Sequence, residues 1–181
     1  MIKRLFILYW FFTVSANAYI YNDSLLLIYA KIIPKIMLLD HTDRRNPPKR
    51  PILCILYEKG DRSTAEKLEK MILANLPGKE RKRVGIVSKP YTQTEDCENV
   101  SAFLLLNTRA DRAKRAIDFA KRNHLLSFAY DNNLLAYGVI VSLHAGKRVY
   151  PIVNIDAIKQ NRLRLDPLLF QVAKIYGGGD S

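Results

Sequence analysis

Short apolar runs of strand length alternate along this chain with segments of helical periodicity, and that alternation restricts it to a layered α/β fold. The runs are Ile52 to Tyr57, Val84 to Val87, Ala102 to Leu106 and Leu125 to Ala129. Between the first two, Ser63-Thr-Ala-Glu66 has the form of a capping box and predicts a helix through about Asn75. Leu68, Met71, Ile72 and Leu76 are its core face, and Pro77-Gly78 ends it. From Thr108 to about Arg122, Ala110, Ala113, Ala116, Ile117 and Ala120 recur at helical spacing with Arg and Lys opposite. Ahead of the first strand, Ser24 to Leu39 carries Leu26, Leu27, Tyr29, Ala30, Ile33, Ile36, Met37 and Leu38, a helix with a wide buried stripe that Pro34 can bend. Asp40 to Arg50, with Pro47 and Pro48 among charges, reads as a loop.

The last third changes character. Leu135 to Leu143 and Arg148 to Asn154 are β-rich and flank His144-Ala-Gly-Lys147, so a hairpin is expected. Asn154 can cap a short helix through about Asn161. Asp166-Pro167 then supplies a cap and a first-turn proline for a helix running through Leu168, Leu169, Val172, Ala173 and Tyr176. Residues 177–181 read as a flexible tail. The expectation is one α/β domain over residues 19–176: a mixed β-sheet flanked by helices, with a C-terminal hairpin-helix unit.

The first eighteen residues stand apart. Lys3 and Arg4, the apolar run Leu5 to Val14 and the ending Ser15-Ala16-Asn17-Ala18 have the three parts of a secretory signal peptide. The run falls short of the roughly 20 residues that span a bilayer. Cleavage between Ala18 and Tyr19 is the reading; an uncleaved anchor or a buried helix is the alternative. Loss of Lys3 and Arg4 lowers the formal charge from +12 to +10 on the remaining 163 residues, enough for one ordinary core. On an exported domain such an excess points away from nucleic acid and toward an anionic membrane surface, cell-wall polymers or an acidic protein face. No later apolar run reaches membrane-spanning length, so a soluble periplasmic domain is expected.

Cys54 lies in the first strand and Cys97 in Glu95-Asp-Cys-Glu-Asn99. An oxidising compartment favours their pairing, closing a loop for which chain entropy suggests at most about 4 kcal/mol. Two unpaired thiols, one buried and one in a loop, are the alternative. They are neither a C-x-x-C redox pair nor part of a clustered zinc site.

Enzymatic motifs are missing: there is no G-x-G-x-x-G, phosphate-binding loop, G-x-S-x-G or H-E-x-x-H. His41, His124 and His144 fall in separate elements, Glu95, Asp96 and Glu98 suit a solvated loop, and Asp131-Asn132-Asn133 suits a turn. No catalytic residue, metal ligand or cofactor is therefore assigned. The unexplained features are two basic clusters, Arg44, Arg45, Lys49 and Arg50, and Lys79, Arg81, Lys82 and Arg83. They are candidates for contact with a partner or with lipid headgroups; solubility alone explains charged loops almost as well.

The order of segments resembles the YfiR-like family of periplasmic regulatory proteins. The likeness rests on Tyr137-Gly-Val-Ile-Val141, Gly146-Lys-Arg-Val149, Val153-Asn154, Ala157, Leu163, Leu168-Leu169 and Ala173-Lys174, with Cys54 and Ile55 in the first strand and Cys97 before a later one. It spans most of residues 25 to 176. The chain departs from it in having Met37-Leu-Leu-Asp40 where relatives often have an aromatic residue and proline, and in lacking a further cysteine pair; the first departure leaves partner identity open, because that helix is similar to a surface used for protein contacts. The resemblance implies regulation by binding, in which the protein holds the outward-facing domain of an inner-membrane diguanylate cyclase in check and the disulfide stabilises the fold or reports redox state. It implies no catalytic residues, and it makes Asn154 a cap and Leu168 and Leu169 core side chains. A structural part of a motility or secretion assembly is the competing function, a solute-binding or enzymatic domain a third, and a second copy of the chain a further candidate partner.

Overall fold

A computed structural model describes residues 19–44 and 47–177. Residues 1–18, read above as a signal peptide, and Arg45 lie outside the described residues, as does the expected tail beyond Gly177. In chain order the elements are α1 (Asp23–Leu38), β1 (Ile52–Tyr57), α2 (Arg62–Asn75), the short α3 (Gly78–Arg81), β2 (Gly85–Pro90) and β3 (Ala102–Leu105). There follow α4 (Ala110–Arg122), β4 (Leu126–Ala129), β5 (Val141–Ala145), β6 (Val149–Asn154), α5 (Ile155–Gln160), α6 (Leu168–Val172) and β7 (Lys174–Tyr176). The seven strands form one mixed sheet in the order β2-β1-β3-β4-β5-β6-β7. Every neighbouring pair is parallel except β5 with β6, which is the expected hairpin.

Both faces of the central strands are covered, which is why their sequences are apolar without alternation. Leu53, Ile55, Leu104 and Phe128 face α1 and α2 in one core that extends to α5 and α6. Cys54, Leu56, Phe103 and Leu105 face the alanine stripe of α4 in the other. Small residues on α4 let the helix lie close to the sheet, and Ala113, Ala116, Ile117 and Ala120 are all buried; Ala110, at the first turn, is exposed. Helix α1 runs unbroken through a buried Pro34. Its fully buried Tyr29 donates to the Ala129 carbonyl at 2.6 Å and accepts from the Leu143 amide at 3.2 Å, tying α1 to two strands.

The structure corrects several local expectations. The capping box does not form: a 3-10 turn, Lys59–Asp61, leads directly into α2, so Asp61 occupies the cap position and Ser63 falls inside the first turn. Glu66 pairs with Arg62 at 2.8 Å instead. The run from Leu135 is not a strand at its start, because Asp131 accepts from the Asn133 amide and winds Asn132–Tyr137 into a 3-10 helix, which Gly138 ends at φ +101°. The final helix stops at Val172, since Lys174–Tyr176 turn extended and pair with Ile152, Val153 and Asn154. Leu169 is buried, but Leu168 is 56% exposed and is not a core residue. Gly177, assigned above to the tail, sits at φ +79° where a Cβ would come within 2.6 Å of the Asp156 carboxylate, so the chain there needs glycine.

Candidate functional site

The chain leaves β1 for β2 on one side, while β3 takes the other side of β1. That makes the β1–β3 boundary a topological switch point, and the carboxyl ends of these strands are where open α/β sheets form their crevice. Here it is occupied by the protein itself. Residues 19–22, just ahead of α1, cross the ends of β1, β3 and β4 as a strap. The Tyr19 backbone N–H and the Tyr21 hydroxyl donate to the two carboxylate oxygens of Asp61, each at 3.0 Å, and Asp61 is 1% exposed. The Tyr21 oxygen accepts from the Asn107 amide at 3.0 Å, and the Asn22 amide donates to the Tyr130 hydroxyl at 2.8 Å. The Tyr21 ring meets Tyr130 edge-on at 4.9 Å between centroids. Burial, and then the neighbouring Asp61 charge, raise the Tyr21 phenol far above its ordinary range.

Beside the strap, Glu58 accepts from the Thr108 hydroxyl and pairs with Arg112. Asn107 Oδ1 is buried without a hydrogen-bond partner. A groove of about 440 Å³ continues outward between α4 and the 3-10 segment Tyr91–Cys97, where Arg112, Arg115 and Arg122 face Thr94 and Glu95. Its floor is held by Tyr91, whose hydroxyl donates to the Leu106 carbonyl at 2.6 Å. The Cys54–Cys97 disulfide, with Cα atoms 6.4 Å apart, fastens this segment to β1. The two thiols are therefore joined.

The two basic clusters meet at the opposite end of the sheet. The register Ile52↔Gly85 sets the residues before β1 beside those before β2, and Arg50 donates to the Lys82 carbonyl at 3.3 Å. Lys49, Lys79, Lys82 and Arg83 are exposed and form no ion pair among the described residues. Arg81 is exposed too, with its guanidinium on the Leu73 carbonyl. Arg44 differs: its side chain is 12% exposed, pairs with Asp40 and donates to the His124 carbonyl at 3.0 Å, so its charge is engaged inside the fold. Arg45 lies outside the described residues.

Sequence reasoning passed over Glu58, Asp61, Tyr21, Asn107 and Tyr130, whose partners lie 40 to 108 residues away. It also passed over the apolar ledge at the end of the chain. Leu168, Val172, Ile175 and Tyr176, exposed by 56, 65, 45 and 39%, line the outer edge of α6 and β7, and β7 has no strand beyond it among the described residues. Helix α1, by contrast, turns most of its apolar side chains inward; its exposed positions are Asp23, Ser24, Leu27, Lys31 and Lys35. Among the described residues no three His, Cys, Asp or Glu side chains gather as metal ligands.

A family model described as YfiR/HmsC-like matches residues 40–174. No curated protein matches the chain by sequence. Among solved structures, a conserved domain protein from Vibrio cholerae superposes with a TM-score of 0.60 at 13% identity, covering 83% of this chain and 59% of that one. The ABC domain in complex with L-Trp from Streptococcus pneumonia gives 0.61 at 8% identity, covering 81% and 60%. At such identities these likenesses establish the fold alone, and this chain spans about three-fifths of each solved chain.

Proposed function

Because the chain belongs to the YfiR/HmsC-like family, we propose that it is an exported periplasmic binding protein that restrains an inner-membrane signalling partner, a diguanylate cyclase, by protein contact. The observation that carries this reading is the family match, which takes in all seven strands up to the first residue of β7 and both disulfide cysteines. Family members act in the periplasm on cyclic di-GMP signalling, and no helix among the described residues is long and apolar enough to cross a membrane. The sequence ahead of Tyr19 supports export, with cleavage after Ala18.

Two surfaces support contact rather than turnover. The apolar ledge of Leu168, Val172, Ile175 and Tyr176 on an open sheet edge suits a protein partner, which gains both buried apolar area and backbone pairing there. The basic end around Lys49, Arg50, Lys79, Lys82 and Arg83 suits orientation against an anionic membrane surface or an acidic protein face. The switch-point crevice, where an α/β enzyme would bind substrate, is filled by the strap.

In-cell crosslinking of a tagged protein, followed by mass spectrometry, tests the proposal. Recovery of a membrane diguanylate cyclase is expected, with capture reduced about tenfold or more by Val172→Asp together with Ile175→Lys, a loss typical of a disrupted apolar contact. Recovery of a stoichiometric motility or secretion complex in its place would overturn the regulatory reading in favour of a building part.

A further inference from the structure

Asp61 is 1% exposed, and its carboxylate accepts from two neutral donors, the Tyr21 hydroxyl and the Tyr19 nitrogen. No Lys, Arg or His forms an ion pair with it among the described residues. A carboxylate so placed is costly unless a cation meets it. The nitrogen 3.0 Å from its Oδ1 belongs to Tyr19, the residue that follows the signal-peptidase motif. In the unprocessed chain that nitrogen is a neutral amide. Hydrolysis of the Ala18–Tyr19 bond adds water across it: Ala18 leaves as a carboxylate, and the Tyr19 amine takes up a proton to become an ammonium. Two unrelated observations, a cleavage motif and a buried acceptor, converge on one atom.

We infer that signal-peptide removal completes this fold, because the ammonium created at the exposed Tyr19 forms a partly buried ion pair with the buried Asp61 that locks the strap 19–22 over the carboxyl ends of β1, β3 and β4. The inference rests on the export reading and goes beyond it by giving the new terminus a structural task. A charge-assisted hydrogen bond is shorter and stronger than the amide's. Its consequences pass along the strap, since Tyr21 joins Asp61 to the Asn107 amide and Asn22 reaches Tyr130. The crevice is then held shut in the processed protein and held less tightly in its precursor.

The test compares the full precursor with one carrying a glycine inserted between Ala18 and Tyr19, both exported and purified from the periplasm. Intact mass first fixes where each chain starts. With starts at Tyr19 and at the inserted glycine, the insertion moves the ammonium one residue away and leaves every side chain in place. The extended form is expected to lose about tenfold or more in its folding equilibrium constant, seen as a thermal midpoint about 3–5 °C lower. In an Asp61→Asn background the two forms should melt together. Should that variant not fold, exchange of the Asn107 amide proton decides, being faster in the extended form. Equal midpoints and equal exchange, or a difference that persists with Asp61→Asn, would overturn the ion pair. A parent chain that starts at a residue other than Tyr19 overturns the cleavage reading on which the inference rests, so the two failures are distinguishable.

Discussion

Tyrosines hold this protein together at points where no charged group would serve. Burial pushes the Tyr29 phenol up to about 12 and raises that of Tyr91 well above its ordinary value. Each stays protonated in the folded state at a pH where the unfolded chain, with phenols near 10, releases its protons. The stability that depends on these phenols is therefore fully present below about pH 10 and is lost as pH rises toward 12. Tyr29 alone sets a slope of up to about 1.4 kcal/mol per pH unit over that window. Absorbance at 295 nm against pH should show the exposed tyrosines titrating first and Tyr29 and Tyr91 ionising only with cooperative unfolding; smooth titration of every phenol near pH 10 would contradict this. None of it was legible in the sequence. Tyr29 was read correctly as a buried position of a helix, but its hydrogen-bond partners lie about 100 residues away and carry no local signal.

Elements were far more legible where burial alone decides them. Strand β1 was read at its true limits and β3 and β4 within one residue, because apolar runs that short fit nothing but strands covered on both faces. Ends set by capping were read with mixed success, and the contrast is measurable. Asn154 accepts from the Ala157 amide at 2.9 Å and donates to the Leu135 carbonyl at 2.9 Å, both buried. Asn154→Ala should therefore cost about 1–2 kcal/mol in urea denaturation. Ser63, exposed and uninvolved in capping α2, should tolerate alanine within about 0.5 kcal/mol. A large effect at Ser63 would mean that the capping box forms after all. The final helix was misread for a reason local pattern cannot supply: Lys174–Tyr176 are extended because an edge of the sheet is there to receive them.

For the whole molecule, the mixed sheet, the single domain and the family were readable, and so was a pairing of Cys54 with Cys97. Its architectural task was not. The disulfide fastens to a central strand the 3-10 segment Tyr91–Cys97, whose Tyr91, Thr94 and Glu95 line the arginine groove. Replacing both cysteines with alanine should lower stability by about 2–4 kcal/mol, measured as a shifted denaturation midpoint under non-reducing conditions, a difference that reduction of the parent should largely abolish. Equal midpoints for the parent and double variant without reductant would sink that assignment. The convergence of two basic clusters at the end of the sheet away from the strap was equally hidden, since it follows from the register of β1 on β2.

The strap has one more consequence, which concerns time. Synthesis from the amino end presents residues 19–22 and α1 before their seats at Asp61, Asn107, Tyr130 and Leu143, which follow 42 to 114 residues later. The opening stretch must wait, unpaired, while the sheet assembles behind it, and long-range closure of this kind is slow. Closure of the strap and seating of α1 have to follow the emergence of β4 and β5, and the interval before that is when the apolar first helix is open to chaperones, to proteases and to other copies of itself.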